Sequence, residues 1–550
     1  MLSTTMHRVL ANSSDKFVPA VFSHLGFREK AAAALDQTGK WEKRKRALGA
    51  LVRITLVVFL PLYRSLSIQN VLKKVLNLLR EIEPGLSLVA VTPEAVCHGR
   101  KRLGVEPLAL LFDAFAVEVR PAASFLGLRT WGYDGVRFTL PDTPLNVTAY
   151  GRPKASRGKA AFPQMLAVAL VDTQSHQIRD VAMGRCTDSE RELARKFVPH
   201  LGAKDLVMKD RGCSSVGQFA AFMSNGTHVL GRIAKSWKPK KIRQLSDGSW
   251  LVQIEGYDDT GSKKAKQDRQ RRKKGVVGRR KRKGGQRKTA GTNTRRLIVL
   301  QMRMIEYQVG RSEKCRLLTD LLDPEKFPAL ELAREYHRRW ECELTYDELK
   351  THLSTVPHGT LHTVFRSKTP DGVKQEAYGT FITYNLIRRL MVEAGETHGV
   401  PPLEISFVGT VEAIKDAAPR FEAVSSRRRD VLIRQLLEDI AACRNARPRR
   451  PRWNPREVKI KMSNSRLKRR RGRGKTIDFA ADLRVKPPAS PRRRATRPIA
   501  TSGKTRNRNG NADRGSRISV QAMSDTRPKS AFRVSHSRSC STLPSARRAA

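Results

Sequence analysis

Residues 328–353 read PALELAREYHRRWECELTYDELKTHL. After its first residue the stretch holds neither Gly nor Pro, and Leu330, Leu332, Ala333, Trp340, Leu344 and Leu349 recur at roughly helical period. Pro328 suits a first helical position, where its missing N–H would have no partner. The pattern predicts one helix of about seven turns. Its polar residues carry the functional signal. Tyr336, Arg339, Glu343 and Lys350 are offset by 3, 7 and 14 residues. At about 100° per residue all four fall within an arc of roughly 60°, spread over about 21 Å of axis. An acid flanked by a phenol, a guanidinium and an ammonium is what a helix needs to hold a metal and grip phosphates around it. A solvated face laced with pairs such as Glu335–Arg339 uses the same residue types. The rest of the chain decides between them.

With 550 residues the chain has room for two or three domains with substantial cores. A formal net charge of +56 points to nucleic acid before any other partner. That charge is concentrated: residues 262–296 hold 17 Lys/Arg against Asp268 alone, and residues 444–550 hold 32 against five acids. The remaining 408 residues carry +13, basic but globular in character. Seven cysteines without a C-x-x-C pair argue against a disulfide framework or a zinc site and for a reducing compartment. No signal-peptide pattern opens the chain. The most apolar run, 49–63, contains Arg53 and Pro61 and is too short to span a bilayer, so no membrane role is expected.

Residues 1–115 read as an all-helical N-terminal domain with clustered Lys/Arg, suited to contact with a DNA backbone. Ser14 or Asp15 caps a first helix, Glu29–Asp36 make a second, and 41–64 becomes a buried helix stopped or kinked at Pro61. Residues 67–82 are amphipathic, and a further helix follows Thr92-Pro93. From Arg129 the period becomes that of strands. RTWGYDGVRFTL alternates; 165–172 and 177–183 form a hairpin; 188–201 is a capped helix; DLVMKDRG is a short buried strand ending at Asp210. Strand, hairpin, helix, strand is the order of a ribonuclease-H-like α/β sheet, whose first and fourth strands lie side by side and would bring Asp134 and Asp210 together. An antiparallel β insert, about 212–327, interrupts this 125–440 core and includes the flexible basic loop 262–296. Helices at 379–396 and about 425–443 close the core, and 444–550 reads as a disordered basic tail.

The blocks YDGVRFTLPDTPLN, FPQMLAVALVDTQSHQI, VMKDRGCSS and YHRRWECELTYDELKTHL together resemble, in order and spacing, the DDE transposases of the insertion-sequence-four family. The last block matches the family's Tyr, Arg, Glu, Lys signature without a gap, and the resemblance covers about residues 1–440. It implies that Asp134, Asp210 and Glu343 are the catalytic, metal-holding acids. Three carboxylates suit two Mg²⁺ ions (Mn²⁺ able to substitute), since in-line displacement at phosphorus wants one ion on the attacking and one on the leaving oxygen.

By the same resemblance the chain cuts at the element's terminal inverted repeats and joins a 3′-hydroxyl to target DNA, a cut-and-paste transposition that passes through a hairpin in relatives. Arg339, Lys350, Tyr336 and Arg211 would bind DNA, with the Tyr336 hydroxyl close to Glu343. Trp237 or Trp250 would stack on a flipped base. Relatives pair as dimers across two ends, and the expected location is the nucleoid of a prokaryotic cytoplasm. Asp142 is a rival for the first acid, although its flanking prolines suit a turn. His337 and His352 read as structural, and Cys213 and Cys342 as unreactive. Two other functions share these residues: a non-catalytic DNA binder derived from a transposase, and a metal-dependent nuclease on the same fold.

Overall fold

The computed structural model describes residues 20–43, 48–64, 66–82, 92–155, 158–159, 162–257, 297–310, 314–353, 365–422, 424 and 426–445, with short paired segments at 452–453, 475–476 and 483–485. The Ser14/Asp15 cap, the basic loop 262–296 and nearly all of the 444–550 tail lie outside these residues.

Alternating, β-branched sequence makes nine strands of one sheet: β1 (Arg129–Thr139), β2 (Gln164–Asp172), β3 (Ile178–Arg185), β4 (Asp205–Lys209), β5 (His228–Arg232), β6 (Lys240–Gln244), β7 (Trp250–Tyr257), β8 (Leu297–Val309) and β9 (Cys315–Thr319). Their spatial order is β3-β2-β1-β4-β5-β9-β8-β7-β6. β1, β2 and β3 form an antiparallel meander, while β4 lies parallel to β1 and β5 parallel to β4. That five-strand arrangement is ribonuclease-H-like. It places His228–Arg232, expected in the insert, as the fifth core strand. The remaining strands extend the same sheet antiparallel instead of forming a separate layer, because β9 pairs directly with β5. Leu483–Val485 pairs with the end of β8, so the expectation of a structureless tail does not hold for these three residues.

Helices cover both faces. The chain begins with a 3-10 turn (Ala20–Leu25), then α1 (Phe27–Thr38), α2 (Ala50–Phe59), α3 (Ile68–Ile82), α4 (Pro93–Leu103) and α5 (Glu106–Ala116). Within the core follow α6 (Pro144–Tyr150), α7 (Glu190–Ala194) and α8 (Val216–Met223). The stretch quoted first forms α9 (Ala329–His337), a 3-10 turn (Arg338–Trp340), α10 (Glu341–Asp347) and a wide π turn (Glu348–His352). The chain continues through α11 (Pro370–His398), longer than expected, then the unexpected α12 (Phe407–Glu422), and α13 (Ser426–Ala442).

The described N-terminal helices share their apolar core with the helices that follow the sheet. Every residue of α2 is buried, and a helix apolar all round must be enclosed on every side. α11 supplies one wall, and a single apolar cluster runs from Val21 through Leu56 to Phe381 and Leu390. Gly379 lets the two helices touch, since a Cβ there would stand 2.6 Å from the Val57 carbonyl oxygen. Buried Arg100 of α4 donates to Gln375, Ser367 and the Gly372 carbonyl, fixing the same junction.

The helical stretch 329–352 is continuous but not uniform. Its buried residues are Ala329, Leu332, Ala333, Glu335 and Tyr336, then Cys342, Thr345, Tyr346, Glu348 and Leu349. Between Tyr336 and Cys342 the stripe advances faster than a straight α-helix allows, because the 3-10 turn packs fewer residues into a turn. Trp340, expected on the buried stripe, is consequently 47% exposed. Tyr336 falls into the core and off the half-buried face of Arg339 and Glu343.

Candidate active site

Two strands and this helix carry the three acids expected from the sequence. β1 and β4 run parallel in a register that pairs Gly132 with Met208. Asp134, in the middle of β1, and Asp210, just past the end of β4, each lie two residues further along, so adjacent positions carry the two acids on the same side. α9 packs over Leu206 and Met208, and α10 over the β1–β2 meander. The approach at β1 is close. A Cβ on Gly132 would stand 2.3 Å from the Cys342 sulfur, so only glycine lets the residue beside Glu343 dock there.

Asp134 is half-buried, and one carboxylate oxygen accepts its neighbour Gly135's N–H at 2.7 Å. Burial raises its pKa to about 6; the charges of Asp210 and Glu190 add to the rise, and Arg339 opposes it. Asp210 is held by its own turn: Oδ1 accepts the Cys213 N–H at 2.7 Å and its carbonyl accepts the Ser214 hydroxyl at 2.9 Å. Glu343 accepts a hydrogen bond from Arg339 at 2.9 Å. The buried Cys342 thiol is pushed up by burial, with the charges of Asp134, Glu341 and Glu343 adding to the rise. Cys213 is likewise pushed up, by burial and then by Asp210. Neither thiol is a nucleophile at neutral pH.

Tyr346, which the sequence did not single out, ties the helix to the first acid. Its hydroxyl donates to the Asp134 carbonyl at 2.5 Å and accepts the Ala169 N–H at 3.1 Å, entering the β1–β2 ladder where those residues pair. Tyr336 does the same at β4. Its hydroxyl donates to the Lys209 carbonyl at 3.2 Å, beside Asp210, and not to Glu343. Lys350 is half-buried in the wide turn. Burial and then Arg137 lower its pKa, while Asp134 raises it. Arg211 is exposed next to Asp210. Asp142 is exposed and pairs with Arg152 at 2.5 Å, away from this grouping. Glu190, the first residue of α7, is the fourth acid of the neighbourhood, raised first by burial and also by Asp210; in the sequence it stood only as part of the capped helix 188–201.

Trp237 packs edge-on against Phe219 and lines a groove of about 260 Å³ with Val216, Lys238, Pro239, Ile254 and Glu255. Trp250 lies under the Lys241 ammonium at 4.1 Å. His337 is stacked edge-on with Tyr307 and lowered to about 4 by burial and then Arg232, which leaves it neutral.

The donors of the three acids are all carboxylate oxygens, the type a hard divalent ion takes. Asp134 is pushed up partly by its acidic neighbours, a repulsion that a cation relieves. In kind the residues fit such an ion. Among the described residues, however, no three His, Cys, Asp or Glu stand close enough to hold one together. Glu343 is turned to Arg339, and uncompensated carboxylates keep apart. No described helix is long and apolar enough to cross a membrane.

A ribonuclease-H-like sheet with one aspartate on its first strand, one just past its fourth and a glutamate on a following helix is an arrangement shared by nucleases and by the transposases and recombinases that cut and join DNA. Residues 106–386 match the family described as Transposase DDE domain, and residues 24–113 match Insertion element 4 transposase N-terminal. The chain is 30% identical over 420 residues to the transposase InsG for insertion sequence element IS4 of Escherichia coli (strain K12), a match spanning 75% of this chain and 85% of that one. It belongs to the IS4 family of DDE transposases and is a DNA transposase. Enzymes with such domains use divalent metal ions. Among solved structures, the cryo-EM structure of piggyBac transposase in a synaptic complex with hairpin DNA is similar at a TM-score of 0.34 and 10% identity, over 73% of this chain and 77% of that one. At that level the likeness carries no argument.

Proposed function

We propose that this transposase moves its element by cut and paste, with Asp134, Asp210 and Glu343 as its catalytic acids. Those carboxylates would hold two Mg²⁺ ions, which when bound activate the attacking oxygen and stabilise the leaving oxygen. Water attacks phosphorus at the element's end, and the 3′-oxygen leaves as a hydroxyl. That hydroxyl then attacks a phosphorus of the target strand and a target 3′-oxygen leaves, so one phosphodiester replaces another without ATP.

Arg339, Lys350 and exposed Arg211 hold the phosphates of the element's end. In the chain without DNA, Arg339 neutralises Glu343 at 2.9 Å. A phosphate competing for that guanidinium frees the carboxylate, so DNA arrival and completion of the acid set are linked. Tyr336 positions Asp210 through the Lys209 carbonyl and does not grip DNA itself. Trp237, lining its groove, is better placed than Trp250 to stack on a flipped base. The basic N-terminal helices bind the terminal repeats, two chains pair the two ends, and the work is done on the nucleoid.

The observation that supports this most is one guanidinium serving two acids. Arg339 bonds Glu343 while its charge also acts on Asp134, whose carboxyl in turn feels Asp210. The test is a plasmid carrying both ends of the element, incubated with the full chain and Mg²⁺. Excised element and joined product are expected. Nicking without any joined product would make the protein a nuclease, and binding without nicking a DNA-binding derivative.

A further inference from the structure

The turns that carry Glu343 have a second side that the catalytic scheme leaves unused. Cys342, Tyr346 and Leu349 face the β1–β2 meander, whereas Glu341 and Glu348 are offset from them toward α11 and the β2–β3 turn. His176 of that turn is fully buried and has a φ of 62°, in the left-handed region that non-glycine residues rarely occupy. Its Nε2 lies 2.7 Å from Glu341 Oε2 and its Nδ1 3.2 Å from Glu348 Oε2. From α11, fully buried Arg388 pairs with Glu348 and reaches His176 Nδ1 at 2.8 Å. Tyr384 donates its hydroxyl to Glu348 at 2.7 Å. The next residue, Asn385, brackets the β2–β3 turn, accepting the Ile178 N–H at 2.9 Å and donating to the Ile178 carbonyl at 2.8 Å.

Buried ion pairs of this kind add little net stability, because the cost of desolvating both charges cancels most of their attraction. What they do enforce is geometry, since a slipped helix would strand a charge away from water. An apolar seam alone tolerates small shifts of a helix along a sheet. A carboxylate that must meet an arginine, a tyrosine and a histidine together does not. Glu348 is also where the helix widens, its carbonyl accepting the Leu353 N–H at 2.7 Å. Burial alone would raise the Glu348 pKa; Arg388 and then His176 outweigh it and hold the carboxyl well below the usual range, so the clamp stays ionised.

We infer that Arg388, Tyr384 and His176, acting through Glu348 and Glu341, are positioning residues that fix the axial and rotational setting of Glu343. This rests on Glu343 being a catalytic acid. It adds that the α11 frame, and not the apolar seam alone, sets where that acid stands.

The experiment uses the full chain and a duplex carrying the element's own terminal repeat. Three quantities are measured: affinity for the duplex, single-turnover cleavage in Mg²⁺, and the rate at which a thiol reagent labels Cys342, identified by mass spectrometry. Arg388→Met alone strands Glu348 and invites misfolding, so the main variant is Arg388→Met/Glu348→Leu, which removes both charges and keeps the volume. Tyr384→Phe, which deletes one hydroxyl, is the milder second variant.

For both variants the expectation is affinity within about twofold of wild type. Cleavage should fall by about tenfold or more in the double variant and several-fold in Tyr384→Phe, consistent with a misplaced catalytic group. Cys342, sealed against Gly132 in the wild type, should label faster in the same order. Wild-type cleavage with Cys342 still protected in the folded double variant, or in Tyr384→Phe if the double variant does not fold, would overturn the inference. So would a loss of DNA affinity in parallel with cleavage, which would mark the cluster as general scaffolding. Glu343→Ala is the control: if it cleaves, the catalytic assignment has failed and not the clamp.

Discussion

Asp134→Asn should make the protein more stable when divalent ions are absent. The structure gives the reason and the size. Burial, aided by Asp210 and Glu190, lifts this carboxyl from 3.8 to about 6. At about 1.4 kcal/mol per pH unit the penalty for charging it in the folded state is about 3 kcal/mol. The group is only half-buried, so solvent screening reduces this to about 1–2 kcal/mol. The sign follows from linkage. The folded state binds this proton more tightly than the unfolded chain does, so the group favours folding below pH 4 and that contribution is lost as pH rises through about 6. Asparagine imitates the protonated form and can still accept the Gly135 N–H. Melting curves in EDTA at pH 7.5 should therefore show Asp134→Asn about 2 °C above wild type. The gain should shrink through pH 6 and vanish near pH 4. Adding 10 mM Mg²⁺ should raise the wild type and leave the variant nearly unmoved, because the ion favours the charged acid it binds. A variant less stable than wild type at pH 7.5 in EDTA, or a gain that does not change with pH, would refute this account of the site's electrostatics.

Gly132→Ala would drive a Cβ to 2.3 Å from the Cys342 sulfur; it should lower cleavage sharply and stability by about 1–3 kcal/mol, and Cys342→Ala should restore much of both when melting and cleavage are measured as a double-mutant cycle. Tyr346→Phe leaves the Ala169 N–H and the Asp134 carbonyl without the hydroxyl that bridges them; denaturant unfolding should show a loss of about 1–3 kcal/mol, with cleavage falling more than duplex affinity. Removing residues 491–550, which hold 15 Lys/Arg against two acids, should flatten the dependence of DNA affinity on salt while sparing preference for the terminal repeat; binding isotherms at several salt concentrations, on repeat and on random duplex, decide it.

Period-two patterning from Arg129 and in 165–172 and 177–183 was enough to predict the meander, and the short apolar run before Asp210 its parallel neighbour. Local pattern could not show that His228–Arg232 closes the core sheet, because a fifth core strand and a first insert strand look alike until pairing is known. The Tyr336–Lys350 face was drawn on a uniform helix. A 3-10 turn at Arg338–Trp340 and a wide turn at Glu348–His352 changed its phase, burying Tyr336 and exposing Trp340. Hydrogen-bond type within a helix depends on what the helix packs against, and no spacing in 328–353 records it. His176, Arg388 and Glu348 were illegible for a related reason. Each is a residue type that usually meets water, and only the tertiary fold encloses all three. Tyr346 passed for an ordinary core aromatic, since the strand position that its hydroxyl reaches is 212 residues away in sequence.

If Asp134, Asp210 and Glu343 form one metal-dependent centre for cutting DNA, as proposed, the loss of any one of them abolishes cleavage. Single-turnover cleavage of the terminal-repeat duplex in Mg²⁺ tests it most directly, with Asp134→Ala, Asp210→Ala and Glu343→Ala measured beside their affinity for the same duplex. All three variants should bind the duplex within a few-fold of wild type, and none should cleave it. Cleavage at the wild-type rate by any one of them would contradict the proposal.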